Sequence, residues 1–274
     1  MRKRNVVLLI AAAVLAVVGA VMYVLYERSI SSPLNPEISF DKNDIYVTTA
    51  AKDSELLQGV TATDPEDGDV TDSVLVEGVS ALIGGNTAKV TYVAFDSKNH
   101  IGRAQRLVHF TDYEAPEFYL SRPLIFRRSN TVDLLSCVSA QDMFDGDISH
   151  KVICNLVGTS ASLAAVGTHD VELRVTNSMG DTSRLELQVE VTETDPNPME
   201  LRLKQYIVYI SAGDEFVPAD YFASYVSNEE VKTEITGVKV ESTVDTQTPG
   251  VYTVTYSVGR NNDASKTRLV VVVK

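Results

Sequence analysis

Two stretches of the chain gather oxygen-bearing side chains closely enough to do chemistry. Asp64-Pro65-Glu66-Asp67-Gly68-Asp69-Val70-Thr71 returns 78 residues on (142 − 64) as Asp142-Met143-Phe144-Asp145-Gly146-Asp147-Ile148-Ser149. Carboxylates at this spacing offer hard oxygen ligands, and the ion they suit is Ca²⁺. The candidate ligands are Asp64, Glu66, Asp67 and Asp69 in the first stretch, and Asp142, Asp145 and Asp147 in the second. The pattern is not an EF-hand. Its glycine falls at the fifth position, not the sixth, and Leu75 and Ile153 stand at the twelfth, where an acid is needed. A tight turn calls for the same residues, because Asp side chains accept bonds from turn N–H groups and Gly68 and Gly146 allow positive φ. We read both stretches first as structural turns that fold without a cofactor, with calcium as the alternative.

Adding the same offset again lands on Asp220, followed by Tyr221-Phe222-Ala223-Ser224-Tyr225-Val226-Ser227. On this alignment aromatic rings replace the central carboxylates. Tyrosine adds apolar area with a hydrogen-bonding tip, which suits binding surfaces. Tyr221, Phe222 and Tyr225 are therefore the candidates for contact with a partner, with a core role as the alternative.

Other chemistry is sparse. Cys137 and Cys154 are the only cysteines and flank the second acidic turn. A disulfide between them is expected, and closing a loop of that size contributes about 3 kcal/mol by restricting the unfolded chain. The four histidines, His100, His109, His150 and His169, are scattered. Neither H-E-x-x-H nor G-x-S-x-G occurs, so no enzyme is expected.

The acidic stretches recur because larger units recur, and a fixed period marks copies of one domain. Each copy opens on a Pro and a short apolar alternation: Pro36 to Phe40, Pro116 to Leu120, Pro198 to Leu203. Each closes on a hairpin whose first strands are Val90 to Ala94, Val171 to Val175 and Val254 to Val258. Leu185 to Val191 alternates apolar and polar without a break, as a strand with one buried face should. Short strands punctuated by turn residues predict an all-β fold of three tandem sandwiches.

The motif V-x-A-x-D-x-x-D-G-D-[VI]-[TS], the Tyr- and Val-rich hairpin and Asp112 to Pro116 together resemble a bacterial Ig-like repeat of Gram-positive surface proteins, also found in some insecticidal crystal proteins. The resemblance spans residues 36–274, good in the first two copies and partial in the third. It implies an Ig-like β-sandwich used as a spacer or binding unit, and no catalytic residue.

Ahead of the copies, Met1 to Asn5 is basic and Val6 to Tyr26 is a 21-residue run without a charge. As a helix that run is about 31 Å long, enough to cross a bilayer core. The basic residues before it place the N-terminus in the cytoplasm. An uncleaved anchor is expected over a signal peptide cut after Ala20, because the run exceeds the usual ~7–15 residues of a signal core. The expected organisation is a basic tail (1–5), a transmembrane helix (6–26), a stalk (27–35) and three Ig-like domains (36–111, 112–192, 193–274). Asp195-Pro196-Asn197-Pro198 is expected to be an extended linker, giving a short rod off the membrane.

The net charge is −13, and the carboxylates are spread over all three copies. That excludes the basic face nucleic acid requires. The function expected is a non-catalytic, membrane-anchored surface protein that binds a protein partner or scaffolds the envelope. The alternative is an accessory module for cell-wall glycan, weakened by the absence of Trp.

Overall fold

The computed structural model describes residues 15–23, 35–129, 132–157, 163, 165–259 and 264–274. Three times along the chain the same pair of sheets is built. In the first copy, β1 (Glu37–Phe40), β3 (Val60–Asp64) and β4 (Gly68–Asp69) form a three-stranded sheet in the order β1-β3-β4. β2 (Asp44–Val47), β7 (Ile101–Phe110), β6 (Thr87–Phe95) and β5 (Leu75–Val79) form the four-stranded sheet, in that order.

The second copy repeats this with β8 (Glu117–Leu120), β10 (Val138–Asp142) and β11 (Gly146–Asp147), and with β9 (Ile125–Arg127), β14 (Thr182–Thr192), β13 (Gly167–Thr176) and β12 (Ile153–Leu156). The third does so with β15 (Arg202–Leu203), β17 (Phe222–Ser227) and β18 (Glu230–Lys232), and with β16 (Ile207–Ile210), β21 (Ser265–Val273), β20 (Gly250–Val258) and β19 (Lys239–Ser242). In each copy the second strand pairs parallel with the last: β2 with β7, β9 with β14, β16 with β21. The other ladders are antiparallel. This is an all-β, Ig-like sandwich arrangement.

Alternation decides what each strand buries. Along β14, Leu185, Leu187, Val189 and Val191 are buried and the residues between them are not. Along β3, Val60, Ala62 and Asp64 are buried; along β10, Val138, Ala140 and Asp142. The first carboxylate of each acidic turn thus occupies the inward phase of its strand.

A buried tyrosine ties the sheets to the short helix ahead of the second inner strand. Tyr92 is wholly buried and its OH donates to Leu56 O at 2.6 Å, at the end of the one-turn helix Asp53–Leu56. Tyr256 repeats this, donating to Pro218 O at 2.7 Å in the 3-10 turn Pro218–Tyr221. In the first copy Arg106 enters the same place, 4 % exposed, donating to Tyr92 OH, Leu56 O and Gln58 O at 2.9, 2.6 and 2.8 Å. Its guanidinium lies 5.3 and 5.2 Å from the Phe40 and Tyr92 ring centres.

The chain divides into two compact units, the first ending at Phe110 and the second holding Thr48–Ala50 and 111–274. Within the second unit, two copies share one core: Ile207 and Val270 of the third belong to the cluster built on Phe118, Leu124, Leu173 and Val189 of the second. Glu190 accepts from Lys266 at 2.7 Å and Arg268 at 2.8 Å across the same junction. The segment Asp195 to Pro198 is not the extended spacer expected. Asn197 N donates to Asp195 Oδ1 at 2.9 Å, Leu201 N to Asn197 Oδ1 at 2.7 Å and Lys266 N to Pro196 O at 2.8 Å. Its Asx turns satisfy the backbone locally and hold it against the third copy.

Of the expected transmembrane segment 6–26, residues 15–23 are helical and exposed throughout. Residues 6–14 and 24–26, the basic tail 1–5 and stalk residues 27–34 lie outside the described residues. No helix among the described residues is long and apolar enough to cross a membrane.

Candidate functional site

The first acidic turn is assembled from backbone donors. Asp64, at the end of β3, accepts from Glu66 N at 2.8 Å and Asp67 N at 3.0 Å, both on Oδ1. Gly68 takes φ +77° to reverse the chain. Asp69 Oδ1 accepts from Thr71 N at 2.9 Å, and hydrogen bonds from Thr71 hold the Asp69 carboxyl below its ordinary pKa. Thr71 Oγ1 accepts from Ala62 N at 3.0 Å, closing the turn onto its own strand.

The turn also reaches across the sandwich end to the β6–β7 turn. Asp67 accepts from Ser97 N at 2.6 Å and Ser97 Oγ at 3.0 Å. Asp96 opens that second turn, its Oδ1 accepting from Lys98 N at 2.9 Å and His100 N at 2.7 Å, its Oδ2 facing His100 Nδ1 at 2.6 Å. Burial works to raise the Asp96 pKa, and the bonds from His100 and Lys98 outweigh it, leaving the carboxyl below its usual range. Glu66 points away from this group and pairs with Lys98. One oxygen each from Asp64, Asp67 and Asp96 come within 4.8 Å of one another.

The second copy reproduces the turn atom for atom. Asp142 Oδ1 accepts from Phe144 N at 2.9 Å and Asp145 N at 3.0 Å, and Asp147 from Ser149 N at 2.9 Å. Asp145 accepts from Ser178 N at 2.8 Å and Lys151 Nζ at 2.9 Å. Bonds from Ser178, then Lys151, depress the Asp145 pKa; Ser149 does the same for Asp147. One residue differs in kind. Asn177 stands where the first copy has Asp96, and its Nδ2 donates to Asp142 Oδ2 at 2.9 Å and to Tyr113 OH at 3.0 Å. Burial and a bond to Asp181 push the Tyr113 hydroxyl pKa up.

Of the candidate carboxylates, Asp64 and Asp67 thus come together with Asp96, which the sequence reading did not single out. The available signal was that Asp96 and Asn177 both begin the hairpin turn that each copy places after its Tyr- or Leu-bearing strand. Asp69 and Asp147 are spent on their own turns, and Glu66 on Lys98.

The third copy is not aligned as its sequence offset suggested. Phe222 lies opposite Leu203 as Val60 lies opposite Phe40 and Val138 opposite Leu120. The counterpart of the acidic turn is therefore the β17–β18 turn Asn228-Glu229, with φ +50° and +63°, a type I′ hairpin. Asp220 sits ahead of the strand, in the 3-10 turn. Tyr221, Phe222 and Tyr225 do not replace carboxylates. Phe222 is 5 % exposed and in the core, and Tyr221 and Tyr225 are half-buried against that core. Tyr221 stacks on Phe216 at 5.2 Å.

The disulfide expected between Cys137 and Cys154 is absent: both are free thiols. Cys137 ends the 3-10 turn Leu135–Cys137 with its Sγ–H on Leu134 O at 3.0 Å, whereas Cys154 lies on β12 of the other sheet. Burial raises both thiol pKa values.

A cleft of about 780 Å³ opens within the second unit, between strands of its two copies, with Glu117, Tyr119, Arg184, Tyr209 and Lys274 among its walls.

These sandwiches are Ig-like, and residues 204–272 match the family model described as "Bacterial surface protein, Ig-like domain". The match falls on the third copy, where the motif resemblance was weakest. No curated protein matches the chain. Among solved structures, the chain is 12 % identical to the M60 catalytic domain with CBM51 domains of Clostridium perfringens ZmpB, covering 88 % of this chain and 31 % of that one, with a TM-score of 0.23. It is 13 % identical to the protocadherin GammaB4 extracellular domain, covering 89 % of this chain and 50 % of that one, with a TM-score of 0.19. Drosophila N-cadherin EC1-4 is 12 % identical, with 88 % and 76 % covered and a TM-score of 0.23. The chain spans half or less of the first two, and at these scores no functional argument rests on any of the three.

Proposed function

We propose that the chain is a non-catalytic, membrane-anchored bacterial surface protein whose Ig-like copies present a binding or scaffolding surface in the cell envelope. The observation that carries this reading is the family match over residues 204–272, on a copy whose strand order the other two repeat. Further support comes from the uncharged segment 6–26 behind a basic tail, and from the net charge of −13, which suits a solvated ectodomain. The partner in this reading is a protein.

The test is protease shaving of intact cells expressing the chain with a C-terminal tag, with the membrane fraction blotted in parallel. The tag is expected to be removed from intact cells and to stay with membranes in untreated ones. A tag that survives shaving until lysis overturns the surface location. Pelleting of the purified chain with cell wall would replace the protein partner with a glycan.

A further inference from the structure

Asp64 is 6 % exposed, and its Oδ2 is buried with no hydrogen-bond partner among the described residues. Leaving a carboxylate oxygen dry and unpaired is costly. The second copy shows what this position requires. There the same oxygen, Asp142 Oδ2, receives the Asn177 amide at 2.9 Å. In the first copy Asp96 occupies the place of Asn177 and has no proton to give. Two carboxylates face each other where the sister copy has an amide donating to a carboxylate.

We propose that Asp64, Asp67 and Asp96 form a site for a hard divalent cation of the calcium class. Each offers an oxygen within 4.8 Å of the other two. Oxygens on opposite sides of a Ca²⁺ at about 2.4 Å are about 4.8 Å apart, so one ion reaches all three. The turn amides of Glu66 and Asp67 occupy Asp64 Oδ1 and leave Oδ2 as the ligand atom. The nearby positive groups do not fill this role. Lys98 Nζ is engaged with exposed Glu66, and His100 Nδ1 faces Asp96 Oδ2. Asp69 is turned to Thr71 and takes no part. The ion would staple the β3–β4 turn to the β6–β7 turn, adding to the Asp67–Ser97 bonds and the exposed Glu66–Lys98 pair that join them without it. Among the described residues the second copy, with Asn177, gathers no such set of ligands. The first copy folds without the ion and is stiffened by it.

The test uses the full chain, stripped with chelator and titrated with CaCl₂ by calorimetry, with thermal melting alongside. One binding event per chain is expected, with a dissociation constant on the order of 10⁻⁴–10⁻³ M, together with a rise in Tm. Asp96→Asn copies the arrangement of the second copy, so it is expected to abolish both responses while melting in chelator no lower than the wild type. Asn177→Ala is expected to leave the calcium response in place. Absence of heat and Tm shift at 10-fold above that range overturns the proposal, and so does an Asp96→Asn variant that still responds. Neither result bears on the surface location, which the shaving experiment decides.

Discussion

Tyr209 holds the backbone of Phe118. Its hydroxyl accepts from Phe118 N at 2.9 Å and lies 3.2 Å from Phe118 O, so one side chain of β16 satisfies both polar groups of a β8 residue. Lys274 Nζ lies 4.9 Å from the Tyr209 ring centre and pairs with Glu117 at 2.5 Å. With the shared core of Ile207 and Val270, this makes the second and third copies one mechanical body. Burial pushes the Tyr209 pKa up, so the hydroxyl keeps its proton for Phe118 O. Tyr209→Phe keeps the ring and strands a donor and an acceptor. A loss of about 1–3 kcal/mol is expected. The Phe118 amide should exchange faster with deuterium than in the wild type; unchanged exchange there would show that Tyr209 is not its partner.

Arg106 is the charged residue whose place in the first copy rests most on burial. Its partners are two carbonyls and the Tyr92 hydroxyl, with Phe40 and Tyr92 rings beside it. Burial raises the Tyr92 pKa, and the adjacent guanidinium opposes this. Arg106→Ala leaves buried acceptors unpaired and opens a cavity, so a loss of about 3–5 kcal/mol is expected. Urea unfolding should show the lowered midpoint. A change under 1 kcal/mol would mean the site collapses or floods without penalty.

What the sequence made legible follows physical rules that act locally. The alternation at Leu185 to Val191 is a period-two signal, and the burial of β14 follows it residue by residue. The acidic turns were legible because Asp64, Asp69, Asp142 and Asp147 each accept from a backbone N–H two or three residues on. Asp96 was not, because its approach to Asp64 brings two separate loops together and leaves no local pattern. The third copy was misplaced by arithmetic. Its inner strand begins 84 residues after Val138 (222 − 138), not 78, and nearly all of the extra length precedes β15, because Leu203 already stands 83 residues after its counterpart Leu120 (203 − 120). Arg106 read as an ordinary strand charge, since nothing local says that Leu56 O and Gln58 O wait for it.

Acid should weaken the second acidic turn. The Asp145 carboxyl is held below its unfolded pKa of about 3.9 by Ser178 and Lys151. A depressed carboxyl contributes stability that is fully present above the unfolded value and lost as pH falls through the folded one. Asp145→Asn is expected to melt below the wild type at pH 7, with the gap closing below about pH 4. A gap that stays constant down to pH 2 would show that the carboxylate charge is not what the turn uses.

Cys137 and Cys154 should behave as two shielded thiols. Burial limits access and raises both pKa values, so little thiolate is present at pH 7. Alkylation without reductant should label both after denaturation and label neither quickly in the native protein. Mass spectrometry finding no label after denaturation would mean that the two are bridged.

Phe222, Tyr221 and Tyr225 divide by depth, and that sets what their truncation does. Phe222 is 5 % exposed beside Leu201, Leu203 and Tyr256, and its ring lies 6.4 Å from that of Tyr225. Phe222→Ala empties a core position and is expected to cost about 3–5 kcal/mol. Tyr225 is half-buried, with its OH near Thr236 O at 3.4 Å, a long contact at the surface. Tyr225→Phe removes only that hydroxyl and should cost under about 1 kcal/mol. Tyr221 stacks on Phe216 and is half-buried against the core, so Tyr221→Ala falls between the two. Thermal melting of the three variants should therefore rank Phe222→Ala lowest, Tyr221→Ala next and Tyr225→Phe nearest the wild type. Only Tyr221 and Tyr225 then remain able to touch a partner. If Phe222→Ala melts like the wild type, the ring is not part of the core and the β17 register against Leu203 is wrong.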